Sequence, residues 1–352
     1  MKPMKFGIVG CGGIAGTHGE CLKKLEEEGL AQLIAGAEPN EGRRKAFGEK
    51  WGIAMHESLD ELLARDDLDA VTICSPSGLH GTQAIQIAKS KRHVLSEKPL
   101  DTKLEVADAA IQAAKENGVV LSGIFQQRFV PDAQKVKRAV EQGYFGEIVY
   151  VHCETPWYRA QSYYDSGDWR GTWDLDGGVL SNQAVHMIDR LMWLGGEIEE
   201  VLSATCEAGR ERKIEAETNA AAIVRLKNGA LGTITGTTLS YDGFDQRTLI
   251  CGTEGSASLL TDKLIAFRTK RPFEEGEASE SDAAASPDRP SVANAPLALW
   301  SDMHKDNIRD FIVSIGEGRS PAVKPADMRR AVRTLNMIYS KAGVGPYAGK
   351  KY

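Results

Sequence analysis

The sequence predicts an α/β chain: an N-terminal doubly wound parallel sheet, then an α+β domain with an open, mostly antiparallel sheet. Strand-like and helix-like segments alternate strictly over the first 124 residues. The strands among them are apolar on both faces, as strands covered by helices on either side must be. After Gly123 the texture changes, and strand-like segments follow one another with few helices between.

Lys5 to Gly10 is a short apolar run ending in glycine, and Ile14 to Glu28 carries Ile14, Cys21, Leu22 and Leu25 at helical spacing. Gln32 to Ala37 reads as a strand and Gly42 to Trp51 as a helix. Ser58 to Ala64 is another helix, with Ser58 as its N-cap. Ala70 to Cys74 is a buried strand, and Leu79 to Lys89 a helix with Ala84, Ile85, Ile87 and Ala88 turned inward. His93 to Leu95 is a strand, Leu104 to Asn117 a helix stopped by Gly118, and Val119 to Leu121 a further strand. The dinucleotide-binding domain is therefore placed at 1–124.

A substrate-binding and oligomerisation domain is placed at 125–352. It opens with a helix from Asp132 to Gln142, ended by Gly143. Strands are expected at Glu147–Glu154, Glu199–Glu207, Ala220–Leu226, Leu231–Thr238, Arg247–Cys251 and Ser256–Leu260, with Asn228-Gly229 as a hairpin turn between two of them. A helix from Val179 to Leu194 interrupts, and helices around Asp306–Ile315 and Ala326–Lys341 close the chain. Glu274 to Pro296, rich in Ala, Ser, Glu, Asp and Pro, is expected to be a loop.

Length and composition narrow the function. At roughly 150 residues per domain, 352 residues imply two. With 42% apolar and 26% charged residues, the chain has the profile of a globular protein. A net charge of −6, with no basic stripe interleaved with aromatics, argues against nucleic acid. No apolar run approaches the ~18 residues of a membrane span. The apolar run before Cys11 is shorter than the roughly 7–15 residues of a secretion signal, so a cytoplasmic location is expected. Six cysteines lie far apart without a C-x-x-C pair, which reads as free, mostly buried thiols in a reducing compartment and no metal knuckle.

The first chemical signal is Gly10-Cys-Gly12-Gly13-Ile14-Ala15, which leaves the first strand and opens the first helix. Gly10 permits the tight turn, Gly12 lets backbone approach a pyrophosphate, and Ala15 allows close helix–strand packing. The next strand ends at Glu38, where an acid accepts hydrogen bonds from ribose hydroxyls and repels a 2′-phosphate, favouring NAD over NADP. Arg43 and Arg44 lie just beyond; pairing with a 2′-phosphate and lying on a solvated helix face are both open for them. Ser75, Pro76 and His80 follow a buried strand at its carboxyl end, where ligands of open parallel sheets sit. For His80 a capping role explains the residue as well. Glu97-Lys98-Pro99 leaves the next strand, and proline restricts the residue before it, so the direction of Lys98 is set by backbone. On residue types alone a surface ion pair between Lys98 and Glu97 is the better explanation.

These motifs recur together with Gly177-Gly178 and with Asn182-Gln-Ala-Val-His186-Met-Ile-Asp189. Supporting stretches are Gln127-Arg128-Phe129-Val-Pro131, Gly252-Thr-Glu-Gly255 and Asp310-Phe311 through Gly318-Arg319-Ser-Pro321. The sequence resembles the glucose-fructose oxidoreductase / inositol dehydrogenase (Gfo/Idh/MocA) family over essentially its whole length. The resemblance implies a Rossmann domain, an α+β domain whose open sheet mediates dimers or tetramers, and an NAD(P)-dependent oxidoreductase of sugars, glycosides or cyclitols. It implies Lys98 and His186 as catalytic residues. The cofactor set it implies is Gly10, Gly12, Gly13, Ile14, Ala15, Glu38, Ser75, Pro76, His80, Glu97, Lys98, Gln126 and Arg170. For substrate it implies Lys98, Arg128, Tyr158, Trp169, Asn182 and His186. NAD is the expected cofactor, NADP the other candidate, and no metal is assigned.

Asn182, His186 and Asp189 fall at i, i+4 and i+7 on one helix face just after the glycine pair. Many members of the family place Asp where this chain has Asn182. An amide cannot stabilise an imidazolium as a carboxylate does, which makes Lys98 the principal acid/base. Trp157, Tyr158, Tyr163, Tyr164, Trp169 and Trp173 crowd one stretch beside Asp165, Asp168 and Arg170. A sugar-stacking wall and self-packing of the loop are both open readings. Two other functions fit the same cofactor residues: an NAD-retaining, redox-neutral glycoside hydrolase and a non-catalytic dinucleotide sensor.

Overall fold

The computed structural model describes residues 2–273 and 301–352, so the loop expected at Glu274 to Pro296 lies outside the described residues. The chain begins with β1 (Met4–Val9), α1 (Gly13–Glu27), β2 (Ala31–Ala37) and α2 (Glu41–Trp51). Next come β3 (Ala54–His56), α3 (Leu59–Leu63), β4 (Ala70–Ile73), α4 (His80–Lys89), β5 (His93–Ser96), α5 (Leu104–Asn117) and β6 (Leu121–Gly123). The six strands form one parallel sheet in the order β3-β2-β1-β4-β5-β6. The chain crosses from one side of β1 to the other between β3 and β4, and that reversal opens a crevice at the carboxyl ends of β1 and β4. Val9 pairs with Ile73 at those ends, so the two exit loops start side by side.

The next elements are α6 (Pro131–Glu141), β7 (Ile148–Pro156), α7 (Gln161–Tyr164), a π-helical turn at Val179–Ala184, and α8 (Val185–Gly195). Six more strands follow: β8 (Ile198–Ala208), β9 (Glu217–Leu226), β10 (Leu231–Thr237), β11 (Arg247–Gly252), β12 (Gly255–Leu260) and β13 (Lys263–Thr269). The second sheet runs β13-β12-β11-β7-β10-β9-β8, with β7 and β10 parallel and every other pair antiparallel. Asn228-Gly229 makes the hairpin between β9 and β10, where Gly229 takes the positive φ that the turn requires. Alternation decides the faces. Val151, Cys153, Val224, Ile234 and Ile250 are buried, while Tyr150, Ile223 and Leu231 are exposed.

The chain closes with α9 (Ser301–Glu317) and α10 (Pro325–Ala342). The described residues divide into two compact units, 2–126 with 301–332, and 127–273 with 333–352. Within the first unit, Ile308, Phe311 and Ile312 of α9 join Phe6, Leu22, Leu25 and Leu95 in one core. The Asn307 side chain accepts the Phe125 N–H at 2.9 Å and donates to the Gly123 carbonyl at 3.2 Å, satisfying backbone that leaves β6. Residues 301–332, read from the sequence with the second domain, cluster with the first.

β3, β13 and α7 were not expected. β3 and β13 are sheet edges with no continuous buried run, and α7 is a single turn of four residues; none leaves a periodic apolar signal. The helix expected over Val179 to Leu194 is a π turn followed by an α-helix. All six cysteines are free, four of them buried. Among the described residues no helix is long and apolar enough to cross a membrane.

Candidate functional site

Gly10 sits at φ +82°, and a Cβ there would lie 2.7 Å from the Ser75 backbone. Only glycine lets the two exit loops approach so closely. α1 begins with Gly12 as an N-cap that has no side-chain cap, and a Cβ on Gly12, Gly13 or Gly16 would meet open space. Uncapped N–H groups facing open room fit a pyrophosphate. Gln126, buried in this same unit, has a side-chain carbonyl oxygen without a hydrogen-bond partner among the described residues, the condition of an acceptor left for a ligand donor such as a carboxamide.

Glu38 is 5% exposed. Its carboxylate accepts the Cys11 N–H at 2.8 Å and the Asn40 N–H at 3.0 Å, tying the second strand to the glycine turn. Arg43 lies 3.4 Å from the same carboxylate, and Arg44 donates to the Glu38 and Pro39 carbonyls at 2.8 and 2.9 Å. Both arginines are therefore engaged with Glu38 or with the backbone of Glu38 and Pro39. Glu38→Ala should weaken NAD⁺ binding about tenfold or more and NADP⁺ binding less, because a charged acceptor is lost to the ribose while repulsion of a 2′-phosphate is relieved. Titration calorimetry with both cofactors checks this, and an unchanged preference removes Glu38 from ribose recognition.

Between Val94 and Thr102 every residue is buried except Lys98. The turn that carries it is held on several sides. His80 places Nδ1 2.7 Å from the Pro99 carbonyl and Nε2 2.8 Å from the Ser75 carbonyl, bridging the two exit loops. Burial pushes the His80 pKa down against those two contacts. With both ring nitrogens engaged, His80 shapes the crevice through backbone. Asp101 accepts the Gly81 N–H at 3.2 Å and the Lys103 N–H at 2.9 Å. The Glu97 carboxylate accepts the Lys98 N–H at 3.2 Å and the His18 Nε2–H at 2.9 Å. Ser75 donates its hydroxyl to Gln83 at 2.6 Å.

In the second unit the π turn after Gly177-Gly178 is equally constrained. A Cβ on Gly178 would lie 2.1 Å from the Glu217 carbonyl oxygen, so the chain passes there only as glycine. Glu217 Oε1 accepts the Leu180 N–H at 2.9 Å and the Tyr339 hydroxyl at 2.8 Å, and burial pushes the Glu217 pKa up to about 7. From Val179 to Met192 only Asn182 and His186 are not buried. Asn182 donates through its amide to Asp176 and stands 3.4 Å from the Tyr163 hydroxyl, which donates to it. Asp176 also accepts the Gly171 N–H at 2.8 Å. A carboxylate thus stands behind Asn182 although position 182 itself carries none.

Asp189, expected on the same face as His186, turns inward. Arg128 closes a two-pronged fork on it at 2.8 and 2.6 Å, with the two side chains 3% and 1% exposed. That pairing gives Arg128, read as a substrate residue from the resemblance, a structural task. Arg170 stacks over Tyr163 and Trp169 at 4.3 and 4.4 Å and donates to the Tyr163 hydroxyl at 2.7 Å. Tyr158 meets Tyr241 edge-on at 5.3 Å. The aromatic stretch divides: Trp173 packs on Tyr339 and Tyr347 and Tyr164 donates to Thr238, while Tyr163 reaches Asn182. Sequence reasoning missed His18, His304, Asp176 and Glu217. Only Asp176, just before the glycine pair, sits beside a motif that could have flagged it.

Comparison with known proteins follows the same division. The sequence model of the GFO/IDH/MocA oxidoreductase family, NAD-binding Rossmann fold, matches residues 4–125, and that of the GFO/IDH/MocA C-terminal domain matches residues 133–258. The chain is 27% identical over 338 residues to myo-inositol 2-dehydrogenase of Thermotoga maritima, covering 94% of this chain and 93% of that one. It is 23% identical over 320 residues to an inositol 2-dehydrogenase of Rhizobium meliloti, covering 90% and 89%. The crystal structure of the WlbA dehydrogenase from Bordetella pertussis in complex with NADH and UDP-GlcNAcA superposes with a TM-score of 0.85 at 31% identity, covering 97% of this chain and 96% of that one.

Proposed function

The chain belongs to the GFO/IDH/MocA family of NAD-binding oxidoreductases, and from that premise we propose a sugar or polyol dehydrogenase with Lys98 as its acid/base and His186 assisting. The reaction moves a hydride between nicotinamide and a secondary hydroxyl or ketone of a sugar, glycoside or cyclitol. One observation carries the reading. Two segments, one in each unit, are buried at every position but a few half-buried ones: Lys98 from Val94 to Thr102, and Asn182 and His186 from Val179 to Met192. A chain that buries everything else along these stretches keeps those groups for a ligand. Relatives named inositol dehydrogenases, and a structural neighbour crystallised with NADH and UDP-GlcNAcA, support the substrate class.

Bound NAD supplies the hydride acceptor of the oxidation. The residues do the rest. Lys98, in its neutral form, takes the hydroxyl proton as the carbon–hydrogen bond breaks. His186 hydrogen-bonds the reacting hydroxyl or its neighbour. Asn182, oriented by Asp176, positions a further hydroxyl. In the reductive direction Lys98 returns the proton.

The test is NADH formation by the purified chain with NAD⁺ across inositols, free sugars, glycosides and nucleotide sugars. A rise in absorbance with one class is expected. Conversion of a glycoside without net NADH, or binding of NAD without turnover of any class, overturns the dehydrogenase reading.

The partner in solution is a second copy of this chain. Ile223, Leu231 and Tyr150 are 47%, 43% and 36% exposed on the uncovered face of the second sheet, and Leu231 lies opposite Tyr150 in the β7–β10 register. An open sheet face of that composition is an association surface. Ile223→Glu with Leu231→Glu should shift the chain from dimer or tetramer to monomer in light scattering; an unchanged mass assigns the contact elsewhere.

A further inference from the structure

Beneath the Lys98 turn lie two buried imidazoles that the chemistry above does not use. His18 comes from α1 and His304 from α9; they are 0% and 3% exposed, and their rings meet edge to face at 6.0 Å. Both address the same carboxylate oxygen: His18 Nε2 is 2.9 Å from Glu97 Oε1, and His304 Nε2 is 3.7 Å from it. His18 Nδ1 stands 3.0 Å from the Thr72 hydroxyl of β4. A carboxylate only accepts, so His18 donates to it from Nε2.

We propose that His18 and His304 are positioning residues for Lys98: they lock the Glu97 carboxylate, whose other oxygen holds the backbone amide from which the Lys98 side chain projects. The proposal rests on Lys98 being the acid/base and extends that reading to residues drawn from both ends of the first unit. Four elements meet at Glu97, namely α1, α9, β4 and the turn itself, so its carboxyl has one place to sit. Lys98, the next residue, inherits that placement through a 3.2 Å hydrogen bond from its own N–H.

The charge balance gives the arrangement a signature. Burial alone would raise the Glu97 pKa; hydrogen bonds and positive charge from His18 and His304 overcome it and hold the carboxyl well below its ordinary range. The other titratable groups facing it are Lys98 of the same turn, the Cys74 thiol after β4 and His80 of α4. Burial raises the Cys74 pKa well above the ordinary thiol value and lowers that of His80. With one imidazole removed, burial acts against less opposition and the Glu97 carboxyl gains a proton more readily as the pH falls.

The experiment compares His304→Leu, His304→Gln, His18→Leu and Lys98→Ala in the full chain. It measures NAD⁺ affinity, melting temperature and the pH profile of kcat with the best substrate of the NADH screen. His304→Leu should lower kcat about 10- to 100-fold with little change in NAD⁺ affinity, the cost of a misaimed group. It should also add an acid limb that the parent lacks. His304→Gln, which keeps an N–H donor, should recover most of kcat and remove the limb. If His304→Leu keeps the parent kcat and profile while Lys98→Ala is inactive, the positioning role fails and the Lys98 reading stands. If Lys98→Ala retains turnover, both fail. Should the leucine variants not fold, ¹⁵N-histidine spectra of the parent decide: a proton on His18 Nε2 is expected, and an Nε2 that carries none overturns the proposal.

Discussion

Lys98→Ala is expected to bind NAD⁺ with nearly the parent affinity and to lose about 10²- to 10⁴-fold in kcat, the range that a positioned acid/base contributes. Binding should survive because the turn does not depend on this side chain for its shape. Glu97, His80 and Asp101 hold its backbone, and Lys98 is the one residue from Val94 to Thr102 that is not fully buried. Lys98→Arg separates charge from proton transfer. A guanidinium keeps the positive charge but cannot give up its proton at any usable pH, so the arginine variant should be as inactive as alanine. A small primary amine added to Lys98→Ala should restore part of the rate by standing in for the missing Nζ. If arginine instead retains substantial turnover, Lys98 acts as a fixed charge and the proton goes elsewhere.

Legibility follows the range of the interactions. The glycine turn, Glu38 and the Glu97-Lys98-Pro99 turn were readable because each is a contiguous segment whose backbone conformation restricts residue choice at a strand end. Gly10 shows the limit of this: the turn is written locally, but the 2.7 Å approach to Ser75 that forbids a side chain comes from a strand 60 residues later. His18, Thr72, Glu97 and His304 meet only after α9 returns to the first sheet, and nothing beside His304 in the sequence announces that return. Asp176 and Asn182 are six residues apart, yet the π turn between them puts their side chains together in a way that α-helical spacing does not foresee. Asp189 is a different case: it and His186 both lie in α8, where helical spacing placed them together, and a buried fork from Arg128 separates them, with Asp189 at 1% exposure.

Arg128 is where the family resemblance and the geometry diverge, and one pair of variants decides between them. Arg128→Met removes the partner of a carboxylate that is 1% exposed, and stranding a buried charge costs about 3–5 kcal/mol. For a unit of this size that is a fall of roughly 6–20 °C in melting temperature. The loss belongs to the orphaned Asp189 more than to any attraction forgone, because desolvating two ions offsets most of their pairing energy. Arg128→Met combined with Asp189→Leu should therefore regain most of the stability, and the single variants should be strongly non-additive. Neither change should raise KM beyond what partial unfolding explains, since the fork is closed on Asp189 at both prongs. A single variant that melts like the parent but binds substrate poorly would reverse the assignment: Arg128 would then leave Asp189 to meet a ligand, and the buried pair would be the resting position of a substrate-binding arginine.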